Sequence, residues 1–207
     1  MFQPKLAEAT GHPDVIHTRR GERVALRFVA PADADDLQAY VRSLSSRSRN
    51  NRFLGAMSEL PKAVLDDFVD TGRDDRFTLI ATMDGVGGEV IVGEARYALH
   101  AETRGLEFGL SVHDRWQGHG IGPALLKNLE SRAAALGAVS LFGDTLRTNE
   151  VMIAVAKAAG FVLHQHPQDW TLVRFEKPVA LDPAAGCTSL RLVASPTRGV
   201  EASLRGA

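Results

Sequence analysis

Between Leu106 and Gly122 the chain reads LEFGLSVHDRWQGHGIG, an apolar run closed by Gly118, Gly120 and Gly122. Because glycine carries no Cβ, glycines at alternate positions let backbone N–H groups turn inward and approach an anion closely. Residues 123–136 follow with a helical pattern, and a helix start there adds aligned N–H donors and a partial positive charge. Pro123 suits the first helical turn, where its missing N–H has no intrahelical partner. The chemistry indicated is the holding of a phosphate ester, most simply a pyrophosphate.

Spacing narrows the ligand. A dinucleotide fingerprint needs G-x-G-x-x-G, yet the sixth position is Pro123 counted from Gly118 and Leu125 counted from Gly120. A Walker loop needs Gly-Lys-Ser/Thr, which occurs nowhere in the chain. NAD and ATP both recede as ligands.

The pattern Gln117-x-x-Gly120-x-Gly122 instead resembles the Q/R-x-x-G-x-G/A signature of the GNAT superfamily of acyl-CoA-dependent N-acyltransferases. Downstream, VSLFGDTLRTN ending at Asn149, then Met152, Lys157 and Gly160-Phe161, resembles that superfamily's next strand, its asparagine-led helix and the start of the following strand. The likeness runs from about Val24 to Phe175. It implies acetyl-CoA as acyl donor, with no metal. Gln117, Gly118, His119, Gly120, Ile121 and Gly122 would hold the pyrophosphate, and the strand end at Leu110, Ser111 and Val112 would run along the pantetheine arm like an added strand. Asn149 would either only cap its helix or also hydrogen-bond that arm. A backbone N–H near Leu110, where Gly109 eases a bulge, is the expected oxyanion donor. Exposed Arg115 and Gln117 are candidates for phosphate contacts, and His119 is read as a spacer whose backbone matters more than its imidazole.

Acyl transfer from a thioester to an amine needs a neutral nucleophile. A lysine amine with pKa ~10.4 is protonated at neutral pH, so a carboxylate must take its proton directly or through water. Glu107 is the candidate base: it stands mid-strand beside the stretch expected to hold the thioester, where a charged residue is otherwise unfavourable. In the resembled family a glutamate at this position often has that role, whereas without the motif Glu107 reads as a solvent-facing residue of an antiparallel sheet. Many relatives also carry a tyrosine in the helix after the asparagine to protonate the thiolate. Residues 151–159 contain none, and no acid is assigned. His164 and His166 alternate on one strand face, a spacing that suits a metal, but a third ligand is missing from the pattern.

The acceptor is addressed by SSRSRNNRFL, residues 45–54, which resembles a segment of bacterial protein lysine acetyltransferases, as does Gly93-Glu-Ala-Arg-Tyr97 before Leu106-Glu107-Phe108. Asparagine replaces the tyrosine usual in the first segment. Read as a connection between helices, that stretch offers Arg47, Arg49 and Arg52 to an acidic partner surface, to a CoA phosphate or merely to solvent. The function implied is an acetyl-CoA-dependent N-acetyltransferase acting on a primary amine, a protein lysine first. A small-molecule amine as acceptor, or a non-catalytic acyl-CoA sensor, are the alternatives.

The elements that must carry these residues alternate in type. Strands are expected at 24–30, 77–83, 90–99, 106–112, 139–142, 161–165 and 171–176, with helices at 35–44, 61–70, 123–136 and 149–159. The class is α/β (α+β): a mostly antiparallel twisted sheet of about six or seven strands with helices on both faces. Residues 21–178 form the expected catalytic domain between a flexible N-terminal segment, 1–20, and a flexible tail, 179–207, rich in Ala, Gly, Ser and Pro.

Global numbers agree with one enzyme domain. The chain has 207 residues, 44% of them hydrophobic, enough for one substantial core. Twenty-four basic against 25 acidic residues leave little general attraction for nucleic acid or an anionic membrane. A single cysteine, Cys187, and the lack of an apolar leader point to a reducing, cytoplasmic setting. A monomer and a homodimer are both compatible with the sequence.

Overall fold

A computed structural model describes residues 14–71 and 75–179. The order of elements is β1 (Asp14–His17), β2 (Arg23–Phe28), α1 (Ala34–Ser43), α2 (Ser46–Phe53), α3 (Lys62–Val69), β3 (Arg76–Gly85), β4 (Gly88–Leu99), β5 (Gly105–Val112), α4 (Ile121–Ala135), β6 (Ser140–Leu146), α5 (Glu150–Ala158), β7 (Val162–Gln165) and β8 (Leu172–Pro178). The strands make one sheet of eight in the order β1-β2-β3-β4-β5-β6-β8-β7. Every pairing is antiparallel except β5 with β6.

Helices cover both faces. One core packs Leu79, Ala95, Leu106 and Phe108 of the sheet against Leu125, Leu126 and Leu129 of α4 and Ala156 of α5. The other packs Ile80 and Ile91 against Leu37, Tyr40 and Val41 of α1 and Phe68 and Val69 of α3. Alternation along β3 explains the division, because successive side chains of a strand point to opposite faces.

Two elements differ from the sequence expectation. The eighth strand is β1, an edge strand inside the stretch drawn as a loose N-terminal segment; four residues carry too little alternation to announce it. The rest of that segment, and the tail with Cys187, lie outside the described residues. The larger correction is α2, a helix where the sequence offered a connection. SRSRNNRF has no apolar stripe, so periodicity is silent, and polar contacts hold the helix instead. Ser45 caps it by accepting from Ser48 N–H. Arg49 donates to the carbonyls of Arg42 at 3.0 Å, Met57 at 2.8 Å and Leu44.

The feature that positions the site is a fork between β5 and β6. Their parallel ladder covers only Gly105–Glu107 against Ser140–Phe142, whereas β6 continues alongside β8 to Leu146. Gly143 sits at the point of divergence, where an added Cβ would come within 2.6 Å of the Phe108 carbonyl oxygen and 2.7 Å of Phe175. Only glycine fits there. Among the described residues no helix is long and apolar enough to cross a membrane.

Candidate active site

Beyond the fork, the inner edge of β5 has no strand beside it. His100 N–H donates to Gly105 O and His113 N–H to Val92 O, both at 2.9 Å, so with the β4–β5 register the odd residues of β5 direct their backbone groups to β4. Leu106, Phe108, Leu110 and Val112 therefore turn theirs toward β6. Past the last ladder pair, the N–H of Leu110 faces the open gap. Gln117 Nε2 takes the Val112 carbonyl at 3.1 Å, which ties the turn back to the strand.

That turn is built by backbone conformation. A short 3-10 segment, Asp114–Trp116, leads into Gly118 with φ 78° and Gly120 with φ 95°, and α4 begins at Ile121. Positive φ is what L side chains resist and glycine accepts. An added Cβ at Gly118 would meet nothing within 4 Å, and at Gly120 only Arg19 Cγ at 3.6 Å. Open space above two glycines at the head of a 15-residue helix leaves its first N–H groups accessible to an anion. Pro123 lies in the first turn of that helix.

A cavity of about 430 Å³ runs from the gap to this turn. Leu110, Ser111, Val112, Gln117, Gly118, Gly120, Gly122 and Asn149 all line it. Ile121 is buried and turns its side chain into the core, so only its backbone is offered. The His119 Nδ1 lies 3.0 Å from the Gln117 carbonyl, a contact that requires its proton, and the ring does not line the cavity. Arg115 stands outside it as well. Asn149 caps α5: its Oδ1 accepts from Met152 N–H at 3.3 Å, and its Nδ2 donates to Thr145 Oγ1 at 2.9 Å. Among the described residues, Arg19 and Arg47 line the cavity as cations without an ion-pair partner. Exposed amides and uncompensated cations fit a diphosphate.

The opposite face of β5 carries Glu107, Gly109 and Ser111. The Glu107 side chain is 49% exposed and its Oε2 lies 2.8 Å from His100 Nε2. It sits at the apex of the fork, about 10 Å along the strand from Leu110 at a rise of ~3.3 Å per residue. It is not part of the cavity wall, so any reach to the gap passes over Gly109. Arg52 lies above that glycine: a Cβ on residue 109 would be 2.8 Å from Arg52 Nη1.

Sequence reasoning missed a buried polar network beside it. Arg52 Nε and Nη2 donate to the Glu94 carboxylate at 2.5 and 3.1 Å, Ser111 Oγ donates to Glu94 Oε1 at 2.7 Å, and the Tyr40 hydroxyl lies 2.9 Å from Ser111 Oγ. Burial, aided by the Glu94 charge, pushes the Tyr40 phenol far above its ordinary range. Burial alone would lower Arg52, but Glu94 outweighs it and holds the guanidinium charged. The Ser111 hydroxyl is thus held by this network, which borders the cavity at Ser111 and Arg52. The only sequence trace was a glutamate amid apolar residues in IVGEARY.

A second polar tie joins α2 to the glycine turn. Asp114 accepts from Ser45 N–H at 2.8 Å, Ser45 Oγ at 2.6 Å and Ser48 Oγ at 2.7 Å, and Gln117 Nε2 donates to Ser48 Oγ at 3.2 Å. Partial burial opposes ionisation of Asp114, but those donors outweigh it and hold the carboxyl below its usual value. Of the three arginines in α2, two are turned inward, leaving Arg47 to face solvent and cavity. For the His164 and His166 pair, the structure places His166 beyond the end of β7, with Nδ1 accepting from Gln168 and Asp169 N–H and Nε2 3.5 Å from Asp144.

Comparison with known proteins identifies the fold and the family. An acetyltransferase of Pseudomonas aeruginosa is 28% identical over 153 residues, 74% of this chain and 82% of that protein. The GNAT domain of S. lividans PAT superposes with a TM-score of 0.74 at 24% identity, covering 83% of this chain and 99% of that one. A cAMP-binding acyltransferase from Mycobacterium smegmatis superposes at 0.55 and 24% identity, over 83% of this chain but only 48% of its own length. The model of the Acetyltransferase (GNAT) family matches residues 40–161, which span the fork, the glycine turn and the asparagine-capped helix, and the chain belongs to that family.

Proposed function

We propose that the chain moves the acetyl group of acetyl-CoA to a primary amine by direct attack, with Glu107 as general base and a protein lysine as the leading acceptor. The observation that supports this reading is the end of the β5–β6 ladder at Glu107 and Phe142, beyond which the N–H of Leu110 faces the gap about 10 Å along the strand from Glu107. The glycine turn and the start of α4 hold the diphosphate, and the free edge of β5 orders the arm that carries the thioester. Leu110 N–H meets the carbonyl oxygen, where negative charge develops during attack. Glu107 accepts the ammonium proton, directly or through water across Gly109. As the new C–N bond forms and the C–S bond breaks, the thiolate leaves and the attacking nitrogen gives up its second proton; with pKa ~8.5 for an ordinary thiol, the thiolate takes that proton, relayed by water, without a dedicated acid.

The lysine acceptor is supported by the two segments that carry the likeness to protein lysine acetyltransferases. Arg52 of the first is bonded to Glu94 of the second, so both belong to one wall over Gly109. Thiol release from acetyl-CoA tests the reading, using lysine-containing peptides beside small polyamines, with mass spectrometry of the products. Acetyl-lysine is the expected product. Turnover with polyamines alone would move the acceptor to a small amine, and CoA binding without any thiol release would make the chain a sensor.

A further inference from the structure

A cation at the mouth of the cavity comes from outside the segment matched by the family. Arg19 sits in the turn between β1 and β2, where Thr18 Oγ1 donates to Glu22 Oε2 at 2.7 Å and accepts from the N–H groups of Arg20 and Glu22 at 3.2 Å each. Gly21 closes the turn at φ 85°. The hairpin is anchored on α4 by Asn128 Nδ2, which donates to Asp14 Oδ2 at 2.7 Å. At its tip the Arg19 N–H donates to the His119 carbonyl at 2.9 Å, in the middle of the glycine turn. The main chain of Arg19 therefore braces the cradle, and its side chain passes beside Gly120 with the guanidinium exposed.

A second cavity of about 470 Å³ lies between α4 and α5 and shares Arg19, Pro123 and Val155 with the first. Leu126, Ala154 and Ala158 give it an apolar wall. Its charged groups are Arg19, Lys127, Glu130 and Lys177. Glu130 and Lys177 neutralise each other at 2.9 Å, whereas Arg19 and Lys127 have no partner among the described residues. Two positive charges are left uncompensated beside an apolar wall. A phosphate monoester brings about −1.5 to −2 at neutral pH, which matches them, and the wall suits a purine ring. The diphosphate is already served by backbone amides next door.

We infer that the N-terminal hairpin is part of the acyl-donor site, with Arg19 and Lys127 holding the 3′-phosphate of coenzyme A at the α4–α5 groove; this rests on the acetyl-CoA reading above. The consequence is discrimination. Calorimetric titration of the full chain with CoA and with 3′-dephospho-CoA reads it directly. The native chain is expected to favour CoA by roughly tenfold or more, the worth of a charge-assisted contact. Arg19→Ala should bring the two affinities close together, mainly by weakening CoA, with Lys127→Ala acting in the same direction. Both side chains are exposed and Arg19→Ala keeps the bond to His119, so unfolding temperatures should stay at the native value. An unchanged ratio in Arg19→Ala, or an equal loss for both ligands, overturns the subsite. Equal binding of both ligands by the native chain overturns the subsite and leaves the acetyl-CoA reading standing; binding of neither removes both.

Discussion

Glu94 and Glu107 stand on neighbouring strands and point to the same face of the sheet, yet their surroundings are opposite. Glu94 is 1% exposed, and its oxygens accept from Arg52 twice and from Ser111 once. Glu107 is 49% exposed and has one hydrogen-bond partner, His100, with the charge of Arg174 nearby. A buried carboxylate held by three donors is fixed in place, and such a group anchors structure. A half-exposed carboxylate with one partner can turn toward an incoming amine. The contrast separates a scaffold residue from the proposed general base on grounds that charge and strand position alone do not provide.

The largest effect is expected at the proposed base. Glu107→Gln should lower kcat by about 10²–10⁴-fold, the usual worth of a general base, and leave the Kd for CoA unchanged. The comparison breaks if kcat holds. At the scaffold residue the loss should appear in stability: Glu94→Ala leaves Arg52 buried and unpaired, at a cost of about 3–5 kcal/mol in denaturant unfolding. A native unfolding midpoint for that variant would remove its anchoring role.

Smaller effects sharpen the contrast between backbone-built and side-chain-built parts. Gly120→Val forces a β-branched residue to φ 95°, which should strain the turn by about 1–2 kcal/mol and weaken CoA binding measured by calorimetry. The smallest effect concerns Asp114. Because its folded pKa lies below the ordinary value of 3.8, its contribution is complete above that pH and is lost as pH falls through the folded value. Amide exchange at Ser45 and Ser48 should accelerate on acidification below that pH, and Asp114→Asn should show the faster exchange already at neutral pH, by an amount worth about 0.5–1 kcal/mol for so exposed a group.

The glycine turn was legible in the sequence because it depends on glycines and a helix start, both of which are local. Gly118 and Gly120 take positive φ and Asn149 caps its helix, conformations that their own residue types announce. Helix α2 was illegible because Ser45 and Arg52 fix it through partners far away in the chain, Asp114 and Glu94, and Arg49 through carbonyls of the segments flanking the helix, none of which leaves an apolar stripe. Gly143 was missed for a similar reason. Its need to be glycine comes from Phe108 and Phe175, contacts that exist only once the strands are paired. Ser111 fell between the cases: its place at the cavity was readable, while the direction of its hydroxyl toward Glu94 was not.

The central claim is that a carboxylate at the fork supplies the amine in its neutral form, and the pH dependence of kcat/KM for a lysine peptide, measured side by side for the native chain and Glu107→Gln, tests it most directly. The native rate should level off well below the ordinary lysine pKa of ~10.4, whereas the variant's rate should keep climbing toward it as free amine accumulates, so that the gap narrows at high pH. Parallel profiles with a constant ratio would contradict the account.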